Sequence, residues 1–117
     1  PRRAARPPWS SEATGAAEAE VTDAEPLDDE RIAAARARLE SARGAYTIGA
    51  TESGDAELSV ALRLDPALAI DGLRLVEPTL EAEPPTDRLL LYGDLLRAAG
   101  RHADASAAYD RAAGKRS

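Results

Sequence analysis

The sequence predicts an all-α fold, in which about five amphipathic helices pack as antiparallel pairs. Alanine and leucine are abundant and favour helices, whereas aromatic residues make up only 3% of the chain and leave little material for a sheet. Apolar residues recur at alternating spacings of three and four along several segments, the period of one helical face. With 117 residues, the chain suffices for one helical domain and an additional tail.

Residues 1–26 are predicted to form an extended or disordered N-terminal arm, and residues 27–117 the helical domain. Five of the positions in the arm are proline or glycine, and only Trp9 and Val21 could bury much apolar surface. Such a segment cannot offset its own ordering entropy. We therefore expect the arm to be held by a partner surface, with Trp9 as an anchor.

The first predicted helix starts near Asp28 or Asp29, either of which can cap the free amide groups of a first turn. Its apolar stripe follows at spacings of 3, 4, 3 and 4, and comprises Ile32, Ala35, Leu39, Ala42 and Tyr46. The helix is expected to fade by Gly49. Residues 51–54 are predicted to form a turn before a second helix over about 55–64, whose inner face carries Leu58, Ala61 and Leu62.

The third predicted helix covers residues 67–82, where Pro78 should kink or split it. A stiff connector then leads to a fourth helix over about 87–99, with Thr86 as its cap. This helix is apolar nearly all round, so neighbours should cover it on several sides. A turn at Gly100 precedes a fifth helix over about 103–114, which Gly114 should stop.

The fourth and fifth helices resemble the tetratricopeptide repeat. Its helix A signature is matched by Leu89-x2-Tyr92-Gly93-x2-Leu96, and its helix B signature by Ala105-x3-Tyr109-x2-Ala112, with Gly100 at the turn between them. Residues 45–66 resemble a degenerate copy, in which Gly49 corresponds to Gly100 and Leu58 to Tyr109. Residues 67–82 are then an additional element between the two units.

Membership of this family implies a right-handed stack of helix pairs with a concave face that binds peptides or protein partners. The binding surface of helix A corresponds here to Leu90, Asp94 and Arg97. These residue types do not match the family's clamp for a terminal carboxylate, so a ligand of that kind is not expected. On the first helix, Arg36 and Arg43 lie off the apolar stripe and are further candidates for partner contacts.

The charge distribution bears on the class of partner. Arg2, Arg3 and Arg6 make the arm's first eight residues basic, but residues 12–30 contain eight acids and no base. Three charges give only a modest attraction to phosphate, and the acids oppose it, so nucleic acid is not the favoured partner. A regulatory binder of nucleic acid or of an anionic membrane surface through Arg2, Arg3 and Arg6 is kept as the alternative function.

Motifs that carry chemistry are weak in this sequence. The segment between Gly49 and Gly54 has the outer spacing of a phosphate-binding loop, but Asp55 and Ala56 stand where that loop needs Lys and Ser or Thr. His102, Asp104 and Ser106 are two residues apart on one helix and point in opposing directions, so they cannot form a triad. The chain lacks cysteine, which removes thiolate chemistry. We expect no enzymatic activity, cofactor or metal.

The sequence thus predicts a non-catalytic protein–protein interaction module, an accessory or assembly subunit of a larger complex. Its candidate contact residues are Arg2, Arg3, Arg6, Trp9, Arg36, Arg43, Leu90, Asp94 and Arg97. The chain has no apolar run long enough for a transmembrane segment, although the arm leaves room for peripheral membrane contact. A bacterial source is expected, because Lys115 is the only lysine among many arginines, and the absence of cysteine fits the reducing cytoplasm. A soluble protein is therefore expected.

Overall fold

We describe the fold from a computed structural model, in which residues 28–116 are placed, with their side chains up to Gly114. The five helices in this part of the chain are α1 (Asp29–Thr47), α2 (Thr51–Leu64), α3 (Ala69–Val76), α4 (Thr86–Ala98) and α5 (His102–Arg116). Short 3₁₀ turns, Pro66–Leu68 and Glu77–Thr79, flank α3. Over residues 28–116 the regular structure is entirely helical and adjacent helices pack as pairs, which confirms the predicted all-α fold.

Helix α1 begins as its sequence predicts. The Asp28 side chain caps it by accepting a hydrogen bond of 2.7 Å from the Arg31 amide. The middle of the apolar stripe is buried and its two ends are half-buried, at Ile32 and Tyr46. The chain then reverses at Gly49, whose φ of +79° favours glycine. No helix within residues 28–116 has the length and apolarity needed to cross a membrane.

Helix α2 begins four residues earlier than predicted, so the predicted turn at residues 51–54 is wrong. The reversal is already complete at Ala50, whose amide donates to the Ala45 carbonyl at 2.8 Å. Thr51 can therefore enter the helix at once. Gly54 lies within this helix rather than in a turn. The ring of Tyr46 occupies the space that a side chain at Gly54 would fill.

Helix α3 is shorter than its predicted range of 67–82. Asp65 ends α2, and its carboxylate accepts a 3.1 Å hydrogen bond from the Ala67 amide at the start of the first 3₁₀ turn. Ala69, Leu73 and Val76 are buried, as their spacing predicts. Pro78 lies in the second 3₁₀ turn and the helix ends before it, because proline cannot donate the next helical hydrogen bond.

The predicted start of α4 and the predicted end of α5 are wrong. Thr86 is the first residue of α4 rather than its cap, and the capping position belongs to Pro85, which offers no side-chain hydrogen bond. Helix α5 continues past Gly114 to Arg116. A glycine within a helix costs only about 1 kcal/mol relative to alanine, which does not oblige the helix to stop.

One core joins the helices. The α1–α2 and α4–α5 pairs have the most extensive contacts, and α3 packs chiefly against α4. The predicted burial between α4 and α5 is confirmed: Leu89 and Leu96 are fully buried, and Tyr109 is half-buried against the core cluster that includes Leu96. The α4–α5 reversal at Gly100, with φ of +85°, repeats the one at Gly49. Helices α2 and α4 touch only sparingly, so a surface groove opens between them.

Candidate interaction groove

A concave groove runs between α2 and α4. It consists of three adjoining clefts: the first and second share Asp55 and Asp87, and the second and third share Asp94. One end of the groove lies at the N-termini of both helices and the other at their C-terminal ends, so α2 and α4 run in the same direction. The cleft at the N-terminal end has a volume of about 560 Å³. We call this surface the α2–α4 groove.

The chemistry of the α2–α4 groove changes along its length. Its N-terminal end is acidic and is lined by Glu52, Asp55, Glu81 and Asp87. Its middle is lined by Asp55, Asp87 and Asp94 together with Ala56, Ser59, Leu90 and Leu91. Its C-terminal end carries Arg63 and Arg97, together with Leu62 and Asp94. The groove therefore presents carboxylates along its N-terminal end and middle, and arginines only at its C-terminal end.

Arg88 joins the two walls of the acidic end. Its side chain is 6% exposed and forms a two-pronged ion pair with Asp55 of α2, with Nε–Oδ2 at 2.7 Å and Nη2–Oδ1 at 3.1 Å. The same guanidinium donates to the Thr79 carbonyl at 2.9 Å and to the Thr79 hydroxyl at 2.7 Å. A fifth bond, to Glu81 Oε1 at 3.0 Å, ties in the connector that precedes α4.

These five bonds use all five N–H donors of a guanidinium. Arg88 therefore has no donor left for a ligand. Its role is to hold α2 and α4 together with the segment between α3 and α4 that carries Thr79 and Glu81. Burial lowers the pKa of Arg88, but the hydrogen bonds to Asp55 and Glu81 outweigh that effect and leave the pKa above its usual value. A backbone hydrogen bond and the bond from Arg88 lower the pKa of Glu81.

Each groove helix is also clamped from behind by a tyrosine. The Tyr46 hydroxyl of α1 donates to Asp55 at 2.6 Å, and the Tyr109 hydroxyl of α5 donates to Asp94 at 2.5 Å. In both cases the ring packs against the glycine that precedes the aspartate. Burial, reinforced by the bond to Asp94, raises the pKa of Tyr109 to about 12. Burial and the bond to Asp55 raise the pKa of Tyr46 further.

Two carboxylates at the acidic end are left without partners. Glu52 and Asp87 are exposed, and among residues 28–116 neither side chain makes a hydrogen bond or an ion pair. The other two acids at this end, Asp55 and Glu81, share the single positive charge of Arg88. The acidic end therefore keeps a net negative charge that a ligand would meet there.

The predicted contact residues of α4 lie together in the groove. Leu90 lines its middle, Asp94 lines the middle and the basic end, and Arg97 lies at the basic end, 3.7 Å from Asp94 and over the Tyr109 ring. Arg36 and Arg43 of α1 are exposed and line none of the three clefts, and Arg43 pairs with Glu40 of its own helix. The predicted arm residues Arg2, Arg3, Arg6 and Trp9 lie outside the described residues.

The residues considered for catalysis are not brought together. His102, Asp104 and Ser106 are all exposed in the first turns of α5, and Asp104 pairs with Arg101 rather than with His102. Within the described part of the chain, no three acidic or histidine side chains are grouped so that they could hold a metal ion.

Sequence reasoning missed the two residues that build the acidic end, Asp55 and Arg88. The sequence pattern places Asp55 at the start of a predicted helix and gives Arg88 no role. Their 33-residue separation gives no local signal. A signal is nevertheless present in the repeated dipeptides Gly54-Asp55 and Gly93-Asp94, each of which packs a tyrosine ring on its glycine and binds the hydroxyl with its aspartate.

Comparison of the chain with protein families, with curated proteins and with solved structures finds no match.

Proposed function

We propose that this chain is a non-catalytic interaction module, an accessory or assembly subunit that binds a protein partner through the α2–α4 groove. In this proposal the N-terminal arm, residues 1–26, contacts the same partner. The observation that carries the proposal is the position of Leu90, Asp94 and Arg97. These residues were selected from the sequence alone, and all three line one groove together with residues of a second helix.

The rigidity of the groove walls supports a binding role. Arg88 fixes the spacing of α2 and α4 at one end, and Tyr46 and Tyr109 fix each helix from behind. A preformed groove loses little conformational entropy when a peptide enters it, which leaves more of the contact energy for affinity. The half-buried Leu90 between charged ends offers an apolar contact with polar groups on both sides, as peptide grooves do.

The resemblance of residues 87–114 to a tetratricopeptide repeat supports the same role. That family binds peptides on the surface of its helix A, to which Leu90, Asp94 and Arg97 correspond.

The proposal is tested by comparing partners of groove and control variants of the full chain. Asp87→Arg with Leu90→Ser changes the acidic end and the middle of the groove without touching Arg88. Asp110→Arg makes the same charge change at an exposed position of α5 that lines none of the three clefts. Each tagged protein is used to capture partners from the native source, and the captured proteins are quantified by mass spectrometry.

We expect at least one protein that is retained by the wild type and by Asp110→Arg, and lost with the groove variant. The same recovery with all three proteins would contradict a binding role for the groove. Binding of the wild type to duplex DNA or anionic vesicles that falls steeply with salt, without any retained protein, would instead favour the alternative function. Unchanged helical circular dichroism confirms that the groove variant is folded.

A further inference from the structure

We propose that the partner enters the α2–α4 groove as a basic segment, in which two arginines or lysines lie one or two positions from a large apolar residue. The inference rests on the proposed function of the groove and names the chemistry of the segment that it binds. Its starting point is the uneven distribution of charge along the groove, whose carboxylates occupy the N-terminal end and the middle.

The N-terminal end of the groove carries more negative charge than its own residues neutralise. Four carboxylates and one guanidinium line this cleft of about 560 Å³, which leaves a net charge of −3. The starts of α2 and α4 also border the cleft, at Thr51 and Pro85, and each helix start contributes roughly half a positive charge. About two negative charges remain, so two basic side chains would balance this end.

These carboxylates are accessible to a ligand. Glu52 and Asp87 are exposed, and Glu81 is 50% exposed although it pairs with Arg88. Arg88 has already used all of its donors, so it cannot turn towards an incoming acid. A phosphate or an acidic peptide would therefore meet repulsion here without gaining a side-chain donor. The charge of this end favours a cationic segment instead.

The groove supplies an apolar contact close to this charge. Leu90 is half-buried and lines the middle cleft together with Leu91, which is 8% exposed. Leu90 follows Asp87 by three residues on α4, a rise of roughly 4.5 Å along the helix. An extended peptide covers about 3.3 Å per residue, so an apolar side chain one or two positions from the basic pair would reach Leu90.

The C-terminal end of the groove sets the orientation of these two features. Arg63 and Arg97 lie there, and Arg97 is 3.7 Å from Asp94. A basic residue at this end would face two arginines and a carboxylate that already binds Arg97 and the Tyr109 hydroxyl. The basic pair therefore belongs at the N-terminal end of the groove, with the apolar residue towards its middle.

The experiment measures the binding of short labelled peptides to the full chain by fluorescence anisotropy at low salt. The test peptide contains two arginines, an alanine and a leucine in sequence, between glycine–serine ends. One control peptide has glutamates in place of the arginines, and another has serine in place of the leucine. We expect the test peptide to bind at least about fourfold more tightly than the glutamate peptide, because each of two exposed charge contacts is worth about two- to fivefold.

Variants of the groove identify the contacts. Glu52→Gln with Asp87→Asn should weaken binding of the test peptide by about four- to twentyfold. Asp110→Asn is the matched control, at an exposed position of α5 that lines none of the three clefts, and should leave the affinity unchanged. Leu90→Ser should weaken binding of the test peptide but not of the serine peptide. Circular dichroism checks that each variant keeps its helices.

Three results would overturn the inference: equal affinity for the arginine and glutamate peptides, an affinity for the test peptide that Glu52→Gln with Asp87→Asn does not change, or self-association of the unliganded chain that this double variant abolishes. The last would make a second copy of the chain the occupant of the groove. A native partner that is captured through the groove, but is not displaced by an excess of the test peptide, would overturn this inference and leave the proposed function standing. Binding of the test peptide without any groove-dependent partner would do the reverse.

Discussion

Tyr109 lies so close to Gly93 that a Cβ atom added at Gly93 would stand 2.6 Å from ring atom Cε1. The tyrosine hydroxyl reaches past the glycine to Asp94. The same relationship holds between Tyr46 and Gly54, with the hydroxyl bonded to Asp55. In each case a missing side chain on a groove helix lets the neighbouring antiparallel helix insert a ring and orient a groove carboxylate.

This relationship predicts that Gly93→Ala destabilises the protein. The added methyl group must displace the Tyr109 ring, whose hydroxyl is held by Asp94, and overpacking of this kind costs about 1–3 kcal/mol. The better helix propensity of alanine returns up to about 1 kcal/mol. We expect a net loss of roughly 1–2 kcal/mol in the free energy of unfolding, measured with urea.

Gly44→Ala is the matched control for Gly93→Ala. Gly44 also lies within a helix, but a Cβ there meets no atom within 4 Å. The substitution should stabilise the protein by about 0.5–1 kcal/mol. Equal effects of the two substitutions would show that Tyr109 does not pack against Gly93 as described.

Replacement of Arg88 should lower the free energy of unfolding more than replacement of an exposed arginine. Arg88→Met keeps much of the side-chain volume but leaves Asp55 with only its bond from Tyr46, and the Thr79 carbonyl without the bond from Arg88. Breaking a buried ion pair typically costs about 3–5 kcal/mol. Arg38→Met removes the ion pair with Glu57, whose side chains are 51% and 31% exposed, and should cost at most about 1 kcal/mol. Similar unfolding midpoints for the two variants would contradict the assigned role of Arg88.

Arg88→Lys separates the charge of Arg88 from its shape. Lysine retains the charge but offers three donors from one point, so it cannot reproduce the two-pronged contact with Asp55 and both contacts with Thr79. We expect a stability between those of the wild type and Arg88→Met. A wild-type stability for Arg88→Lys would show that charge alone is sufficient at this position.

The tyrosine clamps predict a loss of stability in alkali. Burial and the hydrogen bond to Asp94 raise the pKa of Tyr109 from its ordinary value of 10.0 to about 12 in the folded protein. Because the folded-state value is raised, its contribution is complete below pH 10.0 and is lost as the pH rises towards about 12. Tyr109→Phe should therefore show a smaller fall in unfolding free energy over this range than the wild type.

Absorbance of tyrosinate supplies an independent measurement for the alkaline prediction. Alkaline titration of the wild type should include a late component that becomes smaller in Tyr109→Phe but does not vanish, because the pKa of Tyr46 is also raised. If all tyrosines of the folded wild type ionised together near their ordinary pKa, the hydrogen bond to Asp94 would have no effect on Tyr109.

The sequence predicts those features of the fold that depend on one helix at a time. The stripe through Ala35, Leu39 and Ala42 and the cap at Asp28 are such features, and both are confirmed. The burial of Leu89 and Leu96 follows in the same way, from the apolar character of α4. Periodicity is sufficient in these cases because a helix face is set by local spacing.

The errors occur where the role of a residue depends on a contact from another helix. Gly54 was interpreted as part of a turn, yet it lies within α2 under the Tyr46 ring. In the candidate site, the α4 residues Leu90, Asp94 and Arg97 could be predicted, but the opposing wall on α2 could not. Its position is set by Arg88 and Asp55, which are distant in sequence.

The central claim is that helix pairs close over the seam of α4 and α5 as one cooperative unit, with the α2–α4 groove on its surface. Substitution of Leu96, which is 1% exposed, tests it most directly. Leu96→Asp should place an unpaired charge in the seam and lower the free energy of unfolding by several kcal/mol, on the order of the whole stability of a small domain. Ile70→Asp makes a similar change on α3, where the side chain is 55% exposed, and should leave the melting curve nearly unchanged. A cooperative melt of Leu96→Asp close to that of the wild type would contradict the account.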